Sequence, residues 1–122
     1  MAKELSRKPL FWLDEKIKTP PFSKGAREEA GTLLRQLQEG ESLGMPRSRP
    51  MPTIGIRCHE LRVRDENRNW RLIYRIDSDA IVVAMVIAKT TQATPDLVIK
   101  QAKARLRMYD DAAQPKKNRE RK

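Results

Sequence analysis

The chain has little of what builds disulfide and metal sites. Cys58 is its only cysteine and His59 its only histidine. A single cysteine excludes an intramolecular disulfide and a cysteine-rich zinc site, and a single histidine leaves few ligands for another protein metal site. We therefore expect a protein that works without a metal or a cofactor.

Long apolar segments are lacking too. The longest apolar run, residues 80–88, is well short of the roughly 20 residues that cross a bilayer as a helix. The first sixteen residues interrupt their apolar positions with charges and so lack the apolar region of a secretory signal. These absences predict a cytoplasmic protein with no membrane-spanning segment.

Aromatic residues are scarce, at 5%, whereas charged residues make up 34% of the 122 positions. This length allows one domain with a modest core, which we place at residues 1–112. Residues 113–122 hold five basic side chains and one acidic one, so they predict a disordered basic tail. The net charge of +10 predicts an acidic partner, which is nucleic acid, an acidic protein or an anionic membrane.

Two segments have helical periodicity. The first follows Ser23, ends before Gly40 and repeats apolar residues at helical spacing: Ala26, Ala30, Leu33, Leu34 and Leu37. The second begins with Thr94 as N-cap and Pro95 at the first helical position. One face of this second helix carries Val98, Ala102, Leu106 and Tyr109.

The remaining periodic segments predict strands. Residues 9–13 form a first short strand, and residues 57–64, 70–76 and 80–88 form a meander whose turns are short and polar. The last of these is apolar on both faces, which is typical of a central strand. Residues 40–55 hold three glycines and three prolines and predict a surface loop. The expected fold class is α+β, with a small antiparallel sheet of the N-terminal strand plus the three-stranded meander, packed against helices.

Cationic side chains recur along the meander. Strand alternation places Arg62 and Arg64 on one face, and Arg71 and Arg75 share a face of the next strand, while Lys89 follows the last strand. Cations that point the same way from adjacent strands lie about 5 Å apart and repel unless an anion lies between them. Because the planar guanidinium holds a phosphate through two hydrogen bonds, a polyphosphate backbone fits this surface.

Ordinary structural roles compete with this interpretation. The arginines can pair with neighbouring carboxylates, namely Glu60, Asp65 and Glu66. Tyr74 shares its parity with core positions, His59 fits a partly buried structural role, and Trp12 and Trp70 fit packing roles.

The order of these segments resembles the RelE/ParE toxin superfamily, and within it the HigB-like, phage-derived branch. The resemblance covers residues 9–109 and depends on "HELRVRDENRNWRLIYRID" at 59–77 and "VIAKTTQATPDLVIKQAKAR" at 86–105. Within these segments, "ELR", "WRLIYR" and "AKTTQATP" are similar to the pattern of that branch.

This resemblance implies a toxin of a type II toxin–antitoxin pair that cuts mRNA in the ribosomal A site. In such enzymes no metal is used: the 2′-hydroxyl attacks the adjacent phosphate and leaves a 2′,3′-cyclic phosphate and a free 5′-hydroxyl. The implied catalytic residues are Arg62, Arg71 and Lys89, and the implied RNA contacts are Arg64, Arg75, Gln92 and Tyr74. The implied partners are mRNA, the ribosome and a helix-turn-helix antitoxin, through which operator DNA is contacted indirectly.

The sequence also departs from the pattern. Glu60 stands where some relatives have a second basic residue, and Tyr109 lies too far along the last helix to match their C-terminal catalytic tyrosine, so the acid and base roles stay open. Two other functions stay open as well. One is a non-catalytic, ParE-like inhibitor of DNA gyrase, and the other is an accessory nucleic-acid-binding domain, for which the charge alone would suffice.

Overall fold

A computed structural model describes residues 7–66, 68–89 and 94–113, with the backbone but not the side chain of Lys89. This part of the chain has two helices, α1 (Lys24–Gln38) and α2 (Asp96–Ala113). Its five strands are β1 (Leu10–Trp12), β2 (Ser48–Pro50), β3 (Cys58–Arg64), β4 (Asn69–Ile76) and β5 (Ile81–Lys89). They form one sheet in the order β1-β5-β4-β3-β2, which confirms the α+β fold class. Neither helix combines the length and the apolar character that spanning a membrane requires.

The predicted meander is present, because β3, β4 and β5 pair antiparallel as consecutive neighbours. The sheet is nevertheless mixed, since β1 pairs parallel with β5 and sets Leu10 opposite Ile81. An apolar strand has the same residue pattern whether it pairs parallel or antiparallel, so the sequence of β1 does not determine this orientation. The strand predicted to be central, β5, is internal, and the middle position belongs to β4.

One strand lies in a segment that the sequence predicts to be a loop. The three residues of β2 pair antiparallel with β3 and set Ser48 opposite Leu61. Pro50 ends this strand, and a proline without an N–H group is tolerated at the edge of a sheet. Glycines and prolines on both sides conceal so short a strand from pattern analysis.

Helix α1 begins and ends as its sequence predicts. The Ser23 side chain accepts a hydrogen bond from the Ala26 N–H group at 3.0 Å, which is the N-cap geometry. Gly40 follows the helix with a φ of 91°, a conformation that glycine adopts without strain. The five apolar residues predicted for its inner face are all buried.

Each helix covers one face of the sheet. Helix α1 packs on the face that contains Leu61 and Leu72. Helix α2 packs through Ala102 and Leu106 on the opposite face, and the Arg105 guanidinium donates to the Ala84 carbonyl of β5 at 2.8 Å. On this second face, charged side chains of β2, β3 and β4 make up the site described below.

The turn between β3 and β4 is tied to the start of α1 by Asp65. Its carboxylate accepts hydrogen bonds from the Ser23 N–H group at 3.0 Å and from Trp70 Nε1 at 2.9 Å. The hydrogen bond from the Ser23 backbone is the largest of the effects that hold the pKa of Asp65 well below its ordinary value. The charged form of Asp65 therefore stabilises the folded state.

We expect Asp65→Asn to lower the midpoint of thermal unfolding at neutral pH, because a neutral amide accepts these hydrogen bonds less strongly. A lowered pKa contributes stability above the unfolded-state pKa, which is about 3.9, and this contribution is lost as the pH falls below it. Unfolding scans of both proteins should therefore converge at acidic pH. A difference in the unfolding midpoint that is independent of pH would contradict this explanation. The control is Glu66→Gln, which removes a charge from an exposed neighbouring residue.

Candidate functional site

A fully buried carboxylate lies at the centre of the charged surface. Glu60 of β3 is 0% exposed. Its Oε1 atom accepts a hydrogen bond from Arg71 Nη1 at 2.9 Å and one from Arg49 Nη2 at 3.3 Å, and it lies 3.7 Å from Arg62 Nε. The Thr94 hydroxyl donates to its Oε2 atom at 2.7 Å. We call Glu60 with these three arginines the arginine cluster.

Strand register brings the arginine cluster together. Arg62 of β3 lies directly opposite Arg71 of β4, and Arg49 of β2 lies directly opposite Glu60. Two cations directly opposite each other are destabilising. The carboxylate two residues away on the same face of β3 offsets that repulsion and stabilises the arrangement.

The arginine cluster carries more positive than negative charge. Three guanidinium groups surround one carboxylate, which leaves two positive charges over. The Nε atoms of Arg49, Arg62 and Arg71 are buried and donate no hydrogen bond within the described residues. Buried donors without acceptors are unfavourable, so holding these three side chains in place has an energetic cost.

A pocket of about 390 Å³ adjoins the arginine cluster and is open to an outside molecule. Four arginines line it, together with Glu29, Pro46, Val63 and Asn69; the arginines are Arg47, Arg62, Arg64 and Arg71. Arg62 and Arg71 belong to both the arginine cluster and this cationic pocket. The surface can therefore hold an extended anion with more than one charged group.

Sequence reasoning missed Arg47 and Arg49, because both lie in the segment predicted to be a loop. The "PRSRP" segment held a signal for them, since its two arginines alternate about Ser48 as they do on a strand face. Arg49 lies opposite Glu60, and the backbone carbonyl of Arg47 accepts a hydrogen bond from the Arg62 N–H group at 2.8 Å. The strand β2 thus adds two cations to the predicted set.

Arg75 lies apart from the other predicted arginines. It pairs with Cys58 at the far end of β3, and its guanidinium donates to the carboxylates of Asp77 and Asp110, each at 2.7 Å. The hydrogen bond with Asp110 is the main cause of a raised pKa for Arg75. Arg75 therefore joins the sheet to α2 and lies outside the arginine cluster, and its assignment as an RNA contact stays a prediction.

Tyr74 also lies outside the cationic surface. Its side chain is 1% exposed on the face covered by α1, and its hydroxyl lies 2.6 Å from Ser48 Oγ. Burial raises the pKa of this hydroxyl. The ring stacks on His59 with 5.3 Å between centroids. Tyr74 is a core residue, so the expectation that it contacts RNA is corrected, and His59 packs beside it.

Two predicted residues cannot be compared with the structure in full. The backbone of Lys89 pairs with Asn69, which in turn pairs with Arg64, but the Lys89 side chain lies outside the described part. Gln92 lies outside it as well, and so do residues 114–122 of the tail predicted at 113–122, whose first residue, Ala113, ends α2. Their assigned roles stay predictions.

Other reactive groups lie away from the arginine cluster. Cys58 is buried, and burial raises the pKa of its thiol, which disfavours the nucleophilic thiolate. Among residues 7–66, 68–89 and 94–113, no group of three or more histidine, cysteine or carboxylate side chains is placed to hold a metal ion. The arginine cluster itself can stabilise an anion electrostatically.

Because Arg75 lies outside the arginine cluster, its replacement should affect stability. Arg75→Gln should lower the free energy of unfolding by about 1 kcal/mol, a modest loss because Asp110 is half exposed. Affinity for a polyanion should change less than with Arg71→Gln, which removes the same charge from the arginine cluster. Urea unfolding and filter binding of both variants would check this, and equal losses of affinity would contradict the separation of the two arginines.

A protein-family model described as phage-derived protein Gp49-like (DUF891) matches residues 20–107. The match spans α1, the strands β2 to β5 and most of α2, and so includes the whole arginine cluster. No curated protein and no solved structure matches the chain.

Proposed function

We propose that the chain, which belongs to the phage-derived Gp49-like family, is the toxin of a type II toxin–antitoxin pair and cleaves mRNA on the ribosome. The observation that carries the proposal is the excess of two positive charges in the arginine cluster beside the open cationic pocket. RNA supplies one negative charge per phosphate, so successive phosphates can occupy the arginine cluster and the pocket.

The reaction needs a nucleophile that the substrate itself contains. The 2′-oxygen attacks the adjacent phosphorus, the bond from phosphorus to the 5′-oxygen breaks, and a 2′,3′-cyclic phosphate and a 5′-hydroxyl result. The 2′-hydroxyl loses one proton and the 5′-oxygen gains one, so the atoms balance without water. Negative charge builds on the phosphate oxygens in the transition state, and fixed cations stabilise it.

The positions of the arginines assign them to different phosphates of the RNA. Arg62 and Arg71 lie in both the arginine cluster and the pocket, so we place the scissile phosphate between them. Arg47 and Arg64 line only the pocket and would hold a neighbouring phosphate. Lys89, the last residue of β5, is retained as a third cation at the scissile phosphate.

The proposed partners follow from this surface. The ribosome would present the mRNA in an extended form that places one 2′-hydroxyl in line with its phosphate. A helix-turn-helix antitoxin would neutralise the toxin by covering the cationic face or by displacing α2, and would link it indirectly to operator DNA.

The test is to induce the protein in a bacterium and map the 5′ ends of mRNA. New 5′-hydroxyl ends within translated frames are expected, and they should be absent from RNA incubated with the protein but without ribosomes. The double variant Arg62→Ala/Arg71→Ala should give no such ends. The double variant Arg35→Ala/Arg107→Ala removes the same charge from exposed positions on the two helices and should give them at the normal level.

Other outcomes identify the alternatives. Growth arrest with intact mRNA and with gyrase-dependent DNA breaks would replace the proposal with inhibition of gyrase. Neither arrest nor cleavage would leave an accessory nucleic-acid-binding domain.

A further inference from the structure

We propose that Glu60 is a positioning residue, which holds the guanidinium groups of the arginine cluster in the orientation that receives the scissile phosphate. This inference rests on the proposed function. It assigns a role to a carboxylate that does not touch the RNA and is fully buried.

The charge of Glu60 opposes RNA binding. A carboxylate at the centre of a cationic surface lowers the attraction for a polyanion, and burying it has a desolvation cost as well. A site that only had to attract RNA would be stronger without it. The presence of Glu60 therefore indicates a requirement for geometry as well as for positive charge.

One oxygen of Glu60 lies within 4 Å of a nitrogen of each of the three arginines. Oε1 lies 2.9 Å from Arg71 Nη1, 3.3 Å from Arg49 Nη2 and 3.7 Å from Arg62 Nε. Without this shared acceptor, the three long cationic side chains would repel one another and occupy many rotamers. With it, Arg71 retains only 10% of its side-chain exposure. Cations fixed in advance stabilise a transition state without reorganising during the reaction.

The other oxygen fixes the carboxylate itself. Oε2 accepts a hydrogen bond from the Thr94 hydroxyl at 2.7 Å, and Thr94 lies two residues before the first residue of α2. A carboxylate held at one oxygen has a defined plane, so Oε1 keeps its direction towards the arginines. Thr94 thus links the arginine cluster to the start of α2.

The first test is Glu60→Gln, which keeps the shape of the side chain and removes its charge. We expect kcat for ribosome-bound mRNA to fall about 10- to 100-fold, because displaced catalytic groups lose stabilising power. Affinity for an uncleavable mRNA, 2′-deoxy at the cleavage position, should stay equal or rise, because one negative charge is lost. A merely structural role would lower affinity together with kcat. Glu28→Gln, on the exposed side of α1, removes the same charge as a control and should leave kcat unchanged.

A second variant keeps the test decisive if Glu60→Gln does not fold. Thr94→Val removes the hydroxyl that fixes Oε2, and Thr94→Ser retains one. We expect kcat to fall several-fold with valine, with affinity retained, and to recover with serine. Equal kcat for the valine and serine variants would overturn the proposal in that case.

A measurement independent of cleavage separates this inference from the proposed function. NMR signals of the guanidinium N–H groups of Arg49, Arg62 and Arg71 should differ from those of free arginine in the wild-type protein, because Arg49 and Arg71 donate to Glu60 through their terminal nitrogens. They should move towards free arginine in Glu60→Gln, or in Thr94→Val if the former does not fold. If the wild-type protein does not cleave mRNA but the arginine signals move in the variant, the proposed function is wrong, and the inference that Glu60 holds the arginines is supported. Unchanged signals, or an unchanged kcat in an active protein, would overturn the positioning role.

Discussion

Replacing Arg71 with lysine is expected to slow cleavage of ribosome-bound mRNA by about 100-fold, which is the usual loss when one fixed donor to a transition-state anion is removed. Lysine keeps the positive charge but not the planar fork that binds a carboxylate and a phosphate together. In Arg71 one terminal nitrogen donates to Glu60 at 2.9 Å, and the side chain also lines the cationic pocket. A single ammonium group cannot reproduce both contacts.

Single-turnover cleavage on purified ribosomes would measure this loss directly. Arg64→Lys makes the same change at an exposed residue of the pocket and should cost only a few-fold, because its role is to attract a neighbouring phosphate. Arg35→Lys, on the exposed side of α1, should have no effect. If Arg71→Lys retained nearly full activity, charge alone would suffice, and the argument for a preorganised arginine would be lost.

Replacing Leu72 with alanine is expected to lower the free energy of unfolding by about 3 kcal/mol, within the range for buried leucines whose surroundings relax only partly. Leu72 lies on β4, the middle strand, and is 0% exposed within the core between the sheet and α1. Neighbours on both sides hold the strand in place, so the cavity should not collapse completely. A loss of this size is a large fraction of the 5–15 kcal/mol by which domains are usually stable.

Urea unfolding at equilibrium would give this value, with Leu97→Ala as the matched control. Leu97 lies on α2 and is 65% exposed, so its replacement should change stability by less than about 0.5 kcal/mol. Similar losses at the two positions would show that the core is not where the structure places it. RNA cleavage by the Leu72 variant, measured where it stays folded, should remain close to normal, because Leu72 lies on the face opposite the arginine cluster.

Most of the fold could be predicted because the meander strands and both helices have clear periodicity. Three strands predicted at 57–64, 70–76 and 80–88 match β3, β4 and β5 to within about one residue at each end. The strand β2 could not be predicted, because three residues are too few for a period to be visible. The parallel pairing of β1 was equally hidden, since the direction of a partner depends on the path of the whole chain.

The site could be predicted only in part. Strand parity correctly brought Arg62 and Arg71 together, because parity and pairing determine which side chains are neighbours across a hairpin. Arg75 has the same parity as Arg71, yet it is held by Asp110, which lies 35 positions further along the chain. Contacts at such separations depend on where α2 packs. The burial of Glu60 was hidden for the same reason, since one of its partners comes from β2 and another from the start of α2.

The two edges of the sheet are short. As described, β1 and β2 have three residues each, and β2 ends in a proline that has no N–H group to donate. Exposed strand edges are where other chains add strands, in aggregation as well as in recognition. A binding partner that adds a strand beside β1 or β2 would find only three residues of either to pair with. Strand β5 extends beyond its pairing with β1, which ends at Val83, so the longer backbone edge for such an addition belongs to β5.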